Sequence, residues 1–106
     1  MGRAVRPKPL YLGEKLLRIR RALGISQDGM VGRLSGASTL TSASISAYEL
    51  GKREPPLQVL LDYARLANVH LEVLADDELD LPEKLPASPK SEGIRRKKLS
   101  RKKASD

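Results

Sequence analysis

Apolar residues recur along this chain in short helical stretches separated by polar breaks. Leu12, Leu16, Ile19 and Leu23 follow one another at steps of four, three and four, which places them on one face of a helix over residues 11–23. Lys15, Arg18 and Arg21 fall on the other face, and Gly24 supplies a left-handed stop. Ser26 is an N-cap for a second helix, with Gln27 and Asp28 in its first turn and Met30, Val31 and Leu34 as apolar positions spanning about two turns. Gly29 and Gly32 each weaken that helix by roughly 1 kcal/mol relative to Ala, so tertiary packing must hold it.

A small, polar connection over residues 35–40 leads to the stretch 41–53. There hydroxyl residues cap a short third helix, Ile45 and Tyr48 are its buried candidates, and Gly51 ends it. Pro55 and Pro56 form a turn that leaves Leu57 to start a fourth helix, whose stripe of Leu57, Leu60, Leu61, Ala64, Leu66 and Ala67 closes at Asn68. Residues 69–74 continue as a short fifth helix with Leu71 and Leu74 on one face and His70 at its start. Leu79, Asp80, Leu81 and Pro82 alternate and read as extended. The chain therefore divides into a flexible basic arm (residues 1–9), a helical domain (10–75), an acidic extended segment (76–86) and a disordered basic tail (87–106) that loses the apolar period.

Charge sharpens this division. Residues 1–66 carry eleven Lys and Arg against five acids, residues 67–86 one against six, and residues 87–106 eight against two, giving +6, −5 and +6 within the total of +7. Two basic parts flanking an acidic piece suit a polyanionic partner, with the acidic piece itself a solvated segment. The chain has no Cys, Phe or Trp, so disulfides and thiolate metal sites are excluded and base stacking, which single-strand and RNA binders need, lacks its platforms. A single histidine, His70, anchors no zinc site, and the acids from Asp76 to Asp80 lack the glycine and closing Glu of a calcium loop. No metal and no cofactor are expected, and neither a catalytic triad nor a phosphate-binding glycine loop is present, so an enzyme is not expected. The N-terminus is followed by no apolar run, so neither a signal peptide nor a membrane span is expected.

The order of features resembles the Cro/C1-type helix-turn-helix domain of phage and bacterial repressors, the XRE family. The matching pieces are Leu12-Gly13-Glu14-Lys15-Leu16 with Arg20, then Gly24-Ile25-Ser26-Gln27, Ile45-Ser46 with Glu49, Gly51-Lys52-Arg53, and Pro56-Leu57 with Leu60-Leu61. The resemblance implies an all-α fold, a compact five-helix bundle of the lambda-repressor-like type, whose second and third helices form the turn and whose third enters the major groove of DNA. Carried over, Gln27 contacts a phosphate or base edge; Thr41, Ser42, Ala43 and Ala47 face the groove; and Arg20 with Glu49 form a structural ion pair. The sequence departs from the family in three ways. The third helix lacks Arg, Gln and Asn readers, the loop over residues 35–40 is longer than the usual turn, and Val31 stands at a helix crossing where a small residue is usual, with Gly32 as the available relief.

Hydroxyls of Thr41, Ser42, Ser44 and Ser46 can donate or accept at base edges, and the methyls of Ala43 and Ala47 can meet a thymine methyl. Lys52 and Arg53 add charge near the backbone, with Arg3, Arg6, Lys8 and Arg33 as further phosphate contacts. The expected function is a sequence-specific, double-stranded DNA-binding transcriptional regulator, a repressor type, in the cytoplasm and on the nucleoid when bound. So few readers call for a homodimer on paired half-sites, and Leu71, Val73, Leu74, Leu79 and Leu81 are the expected contact. The rival expectation is an antitoxin-like interaction module of the same fold that binds a protein partner through its C-terminal segment.

Overall fold

The first helix of the chain begins without a capping side chain of its own, and the way its start is satisfied governs much of the architecture. A computed structural model describes residues 9–34 and 39–96. In it α1 (Leu12–Leu23) buries Leu12, Leu16 and Ile19 and ends at Gly24, whose φ of 69° lets its amide reach back to the carbonyls of Arg20 and Arg21. The free amides of Leu10 and Tyr11 at its start donate to the carboxylate of Asp77, at 3.0 and 3.2 Å, from far along the chain. A carboxylate there also meets the positive end of the helix.

The four helices that follow are α2 (Gln27–Val31), α3 (Ser42–Glu49), α4 (Leu57–Ala67) and α5 (Leu71–Ala75). Ser26 caps α2 by accepting from the Gly29 amide at 3.0 Å, and Asn68 closes α4 in the left-handed conformation at φ 56°. The α2 helix is a single turn rather than two, although Leu34 beyond its end is still buried. One core unites Leu16, Ile19, Met30, Ile45, Tyr48, Tyr63, Val73 and Leu74.

Lys15 does not share the solvated face of α1 expected for it. It is fully buried, and its Nζ donates to the carbonyls of Val73 at 2.7 Å and Asp76 at 3.0 Å. Both carbonyls lie at the C-terminal end of α5, where a cation is favoured, and that of Asp76 also accepts from the Leu79 amide at 3.0 Å. Burial, followed by the nearby Arg96, pushes its pKa below the ordinary lysine value, and Asp77, Asp80 and Asp76 act in the opposite sense.

The fold is mostly helical rather than all-α, because β1 (Leu79–Asp80) and β2 (Ile94–Arg95) pair antiparallel, Leu79 opposite Arg95 and Asp80 opposite Ile94. Residues 87–96 of the tail expected to be disordered are therefore ordered, and residues 97–106 lie outside the described residues. Its backbone docks onto the end of α4. The Ala87 amide donates to the Ala67 carbonyl at 2.9 Å, the Ser91 amide to the Asn68 carbonyl at 3.1 Å, and the Asn68 side chain to the Ala87 carbonyl at 2.6 Å. Backbone bonds of this kind leave no apolar period, which is why the segment reads as structureless. Gly93, at φ 88°, passes so close to α5 that a Cβ would lie 2.7 Å from a Val73 methyl and 2.8 Å from the Asp80 carbonyl oxygen.

The acidic segment is likewise not simply solvated. Besides Asp77 at the start of α1, Asp80 takes the Arg96 Nη2 at 3.2 Å and lies 3.5 Å from Arg18, while Glu78 pairs with Arg95 at 2.8 Å. Arg96 also reaches Glu14 at 3.2 Å and lies over the Tyr11 ring, 3.8 Å from its centroid. The apolar residues expected to form a dimer contact are consumed in the same packing: Val73, Leu74 and Leu81 are core residues, and Leu71 and Leu79 are half-buried against them. The reason is that the ribbon folds back over α5 and covers its apolar side. No helix among the described residues is long and apolar enough to cross a membrane.

Candidate nucleic-acid interface

Thr41 sits in extended backbone before α3, and its hydroxyl accepts from the Ser44 amide at 3.3 Å while the Ser44 hydroxyl accepts from the Thr41 amide at 3.2 Å. This reciprocal box fixes the first turn. It also uses Ser44, which is only 8% exposed, so Ser44 is a cap of the helix rather than one of its outward side chains. Ile45 and Tyr48 face the core, as their spacing predicts. Thr41 and Ala43 stand exposed, and Ser42, Ser46 and Ala47 are half-buried beside them. The presented surface is thus small, with hydroxyls and methyls in place of long side chains.

Behind this surface lies a buried polar network. The Arg20 guanidinium grips Glu49 through two bonds, Nε to Oε2 at 2.6 Å and Nη2 to Oε1 at 3.1 Å, with the two side chains 15% and 5% exposed. Arg20 Nη1 adds a bond to the Ile25 carbonyl at 3.0 Å, and the Gln27 side-chain amide donates to Glu49 Oε1 at 3.1 Å. The carboxylate at the end of α3 therefore joins α1 and the start of α2, and Arg20 extends the tie to the α1–α2 turn. The bond to Glu49 raises the Arg20 pKa, against the opposing effect of burial. Tyr63 is buried in the core, its hydroxyl without a partner among the described residues; burial first, and the Glu49 charge second, push its pKa well above the ordinary tyrosine value.

Gln27 is half-buried and has one amide N–H committed to Glu49, which leaves a second N–H and the carbonyl for another contact. At the far end of α3, Gly51 adopts φ 76°, and the amides of Lys52 and Arg53 fold back onto the Ala47 carbonyl at 2.9 and 3.3 Å. Both cations are exposed, and Arg53 lies over the Tyr48 ring, 5.8 Å from its centroid. Arg33 is exposed past the end of α2. Arg3, Arg6 and Lys8, and the loop residues Ser35 to Ser38, lie outside the described residues.

Gly32 gives no relief at the Val31 crossing, since it is exposed and an added Cβ would meet only the Gly29 carbonyl at an ordinary 3.6 Å. The close approach is made instead by Gly13, where a Cβ would fall 2.7 Å from the Glu49 carbonyl oxygen. Sequence reasoning misses that role of Gly13, although a glycine inside a strong helical period is itself a signal of close backbone approach. It also misses Lys15, Asp77 and Arg96, because no local pattern marks a partner so distant in sequence. Among the described residues no group of three or more His, Asp or Glu is placed to hold a metal ion.

A family profile described as helix-turn-helix matches residues 16–74, more than half of the 106-residue chain. Comparison with curated proteins and with solved structures finds no significant match. The matched span runs from α1 through α5 and contains the capped α3 and the polar network behind it. By that match the chain belongs to the Cro/C1-type (XRE) helix-turn-helix family, a family of DNA-binding regulators.

Proposed function

We propose that this chain is a sequence-specific transcriptional regulator that binds double-stranded DNA through α3 and performs no catalytic step. The observation that carries the reading is the rigid mounting of α3. Its N-terminal turn, with exposed Thr41 and Ala43, is held by the Thr41–Ser44 box, its C-terminal end is tied to α1 and α2 by the Arg20–Glu49–Gln27 network, and Lys52 and Arg53 follow beyond that end. Thr41, Ser42, Ala43, Ser46 and Ala47 would meet base edges, and Gln27, Lys52, Arg53 and Arg33 the phosphates. Ser44 is omitted because its hydroxyl serves the cap.

A face of hydroxyls and methyls lacks bidentate readers, each of which would supply roughly 1–3 kcal/mol of discrimination per base. Two copies on paired half-sites and sequence-dependent DNA shape supply the remainder in this reading, and the dimer contact lies elsewhere than the covered side of α5. A protein partner at the C-terminal segment would have to displace the contacts of residues 87–96 or use residues 97–106. The protein acts in the cytoplasm. Selection of bound sites from a random duplex pool at a fixed salt concentration tests the proposal. A recurrent site should emerge, and enrichment of no sequence would leave only nonspecific binding. Gln27→Ala should then weaken binding to the recurrent site.

A further inference from the structure

Among the described residues four large apolar side chains stand exposed, and two of them meet at one place. Leu10, 77% exposed, precedes α1, and Leu50, 65% exposed, follows α3; both line a single cleft between the start of α1 and the end of α3, whereas Leu57 and Ile94 do not. Neither leucine hangs on loose backbone. The Leu10 amide donates to both oxygens of Asp77 at 3.0 Å, and the Leu50 amide donates to the Ser46 carbonyl at 3.0 Å. Beneath them α1 and α3 are in backbone contact, since a Cβ on Gly13 would fall 2.7 Å from the Glu49 carbonyl oxygen. A lone exposed leucine is ordinary, but two on fixed backbone beside a cleft mark a contact surface.

The cleft also carries both signs of charge. Glu14 and Glu54 line it together with Arg53, and the Glu14 side chain is 60% exposed. A contact across a two-fold axis uses one patch twice, so the apolar centre and both signs of charge must lie on the same surface. This patch has all three. A polyanion would meet two carboxylates there and gain nothing from the leucines. From these features we propose that the Leu10–Leu50 cleft docks a second copy of this chain, with the leucines of the two copies packed together and Arg53 of each copy against a carboxylate of the other. The inference rests on the DNA-binding reading for why two copies are needed, and it names the surface that joins them. A guanidinium has five N–H donors, so a carboxylate of the second copy leaves Arg53 able to meet a phosphate. Placed at the end of α3, the contact would set the distance between two α3 helices and thereby the spacing of half-sites.

Sedimentation equilibrium without DNA tests the contact, at protein concentrations up to ~1 mM because so small an apolar centre gives weak association. Wild type should form dimers. The paired substitution Leu10→Glu, Leu50→Glu puts a carboxylate at each apolar position and should weaken dimerisation about tenfold or more. Each single substitution should give a smaller loss in the same direction, with the urea midpoint of the monomer unchanged because both positions are exposed. Ile94→Glu, at an exposed position outside the cleft, should dimerise as wild type does. A wild type that stays monomeric throughout, a dimer that survives the paired substitution, or an equal loss in Ile94→Glu overturns the proposal. Dimers that fail only in the cleft variants, from a protein that binds no duplex, would uphold this contact and remove the DNA reading instead.

Discussion

Two polar networks hold this small domain, and they use similar groups in different surroundings. Behind α3, Arg20 and Glu49 pair bidentately with side chains 15% and 5% exposed. In the β1–β2 ribbon, Arg95 and Glu78 pair at 2.8 Å with side chains 70% and 48% exposed. The first pair has little water to fall back on if one partner is removed, while the second exchanges its bond for hydration at almost no cost. Distance alone would rank the two together. Burial separates them, and it makes the tie between α1 and the end of α3 far costlier to break than the exposed pair of the ribbon.

Substitutions can break this contrast, beginning with the largest expected effect. Glu49→Ala leaves the Arg20 guanidinium buried without its partner and should cost on the order of 3 kcal/mol in urea unfolding. An unchanged midpoint would mean the pair is not a structural tie. Gly93→Ala forces a side chain into left-handed backbone and into contact with Val73, and should cost about 2 kcal/mol. A neutral result would show that the ribbon is not held against α5.

Tyr63→Phe removes an unpartnered buried hydroxyl and should stabilise by about 1 kcal/mol. It also has a signature in pH. Because the folded-state pKa is raised, the unfolded chain releases the Tyr63 proton first, so wild-type stability is lost as pH rises above the ordinary tyrosine value of about 10. The difference between wild type and Tyr63→Phe should therefore widen from pH ~9 to pH ~11 in denaturant titrations; a constant difference would place the hydroxyl in water. Smallest of all, Arg95→Ala should change stability by less than about 0.5 kcal/mol, and a loss comparable with Glu49→Ala would erase the contrast between the networks.

The same contrast explains what can be read from the amino acids. Caps and stops are local, so Gly24, Ser26, Thr41, Gly51 and Asn68 mark the helix boundaries, and Ile45 and Tyr48 mark the inner side of α3. Lys15 is misjudged because its neighbours in sequence, Glu14 and Arg18, share a polar helical face, while its actual acceptors are the carbonyls of Val73 and Asp76. Of the ribbon, only the alternation from Leu79 to Pro82, which holds β1, is legible; β2 is missed for a related reason, since it has two residues and its anchors are backbone bonds and ion pairs. Ser44 and Gln27 show the limit at the candidate site itself. Their polar groups suit DNA contacts, but the fold gives Ser44 to a cap and one N–H of Gln27 to Glu49.

The central claim, that the α3 side of the domain meets duplex phosphates, is tested most directly by the salt dependence of binding. Wild type and a Lys52→Ala, Arg53→Ala double variant would be titrated against one selected duplex across a range of salt concentrations. The account predicts weaker binding for the variant and a logarithmic salt slope shallower by about 0.9 for each phosphate that is no longer neutralised, close to ~2 in all. Identical affinity and identical slope for the two proteins would contradict it.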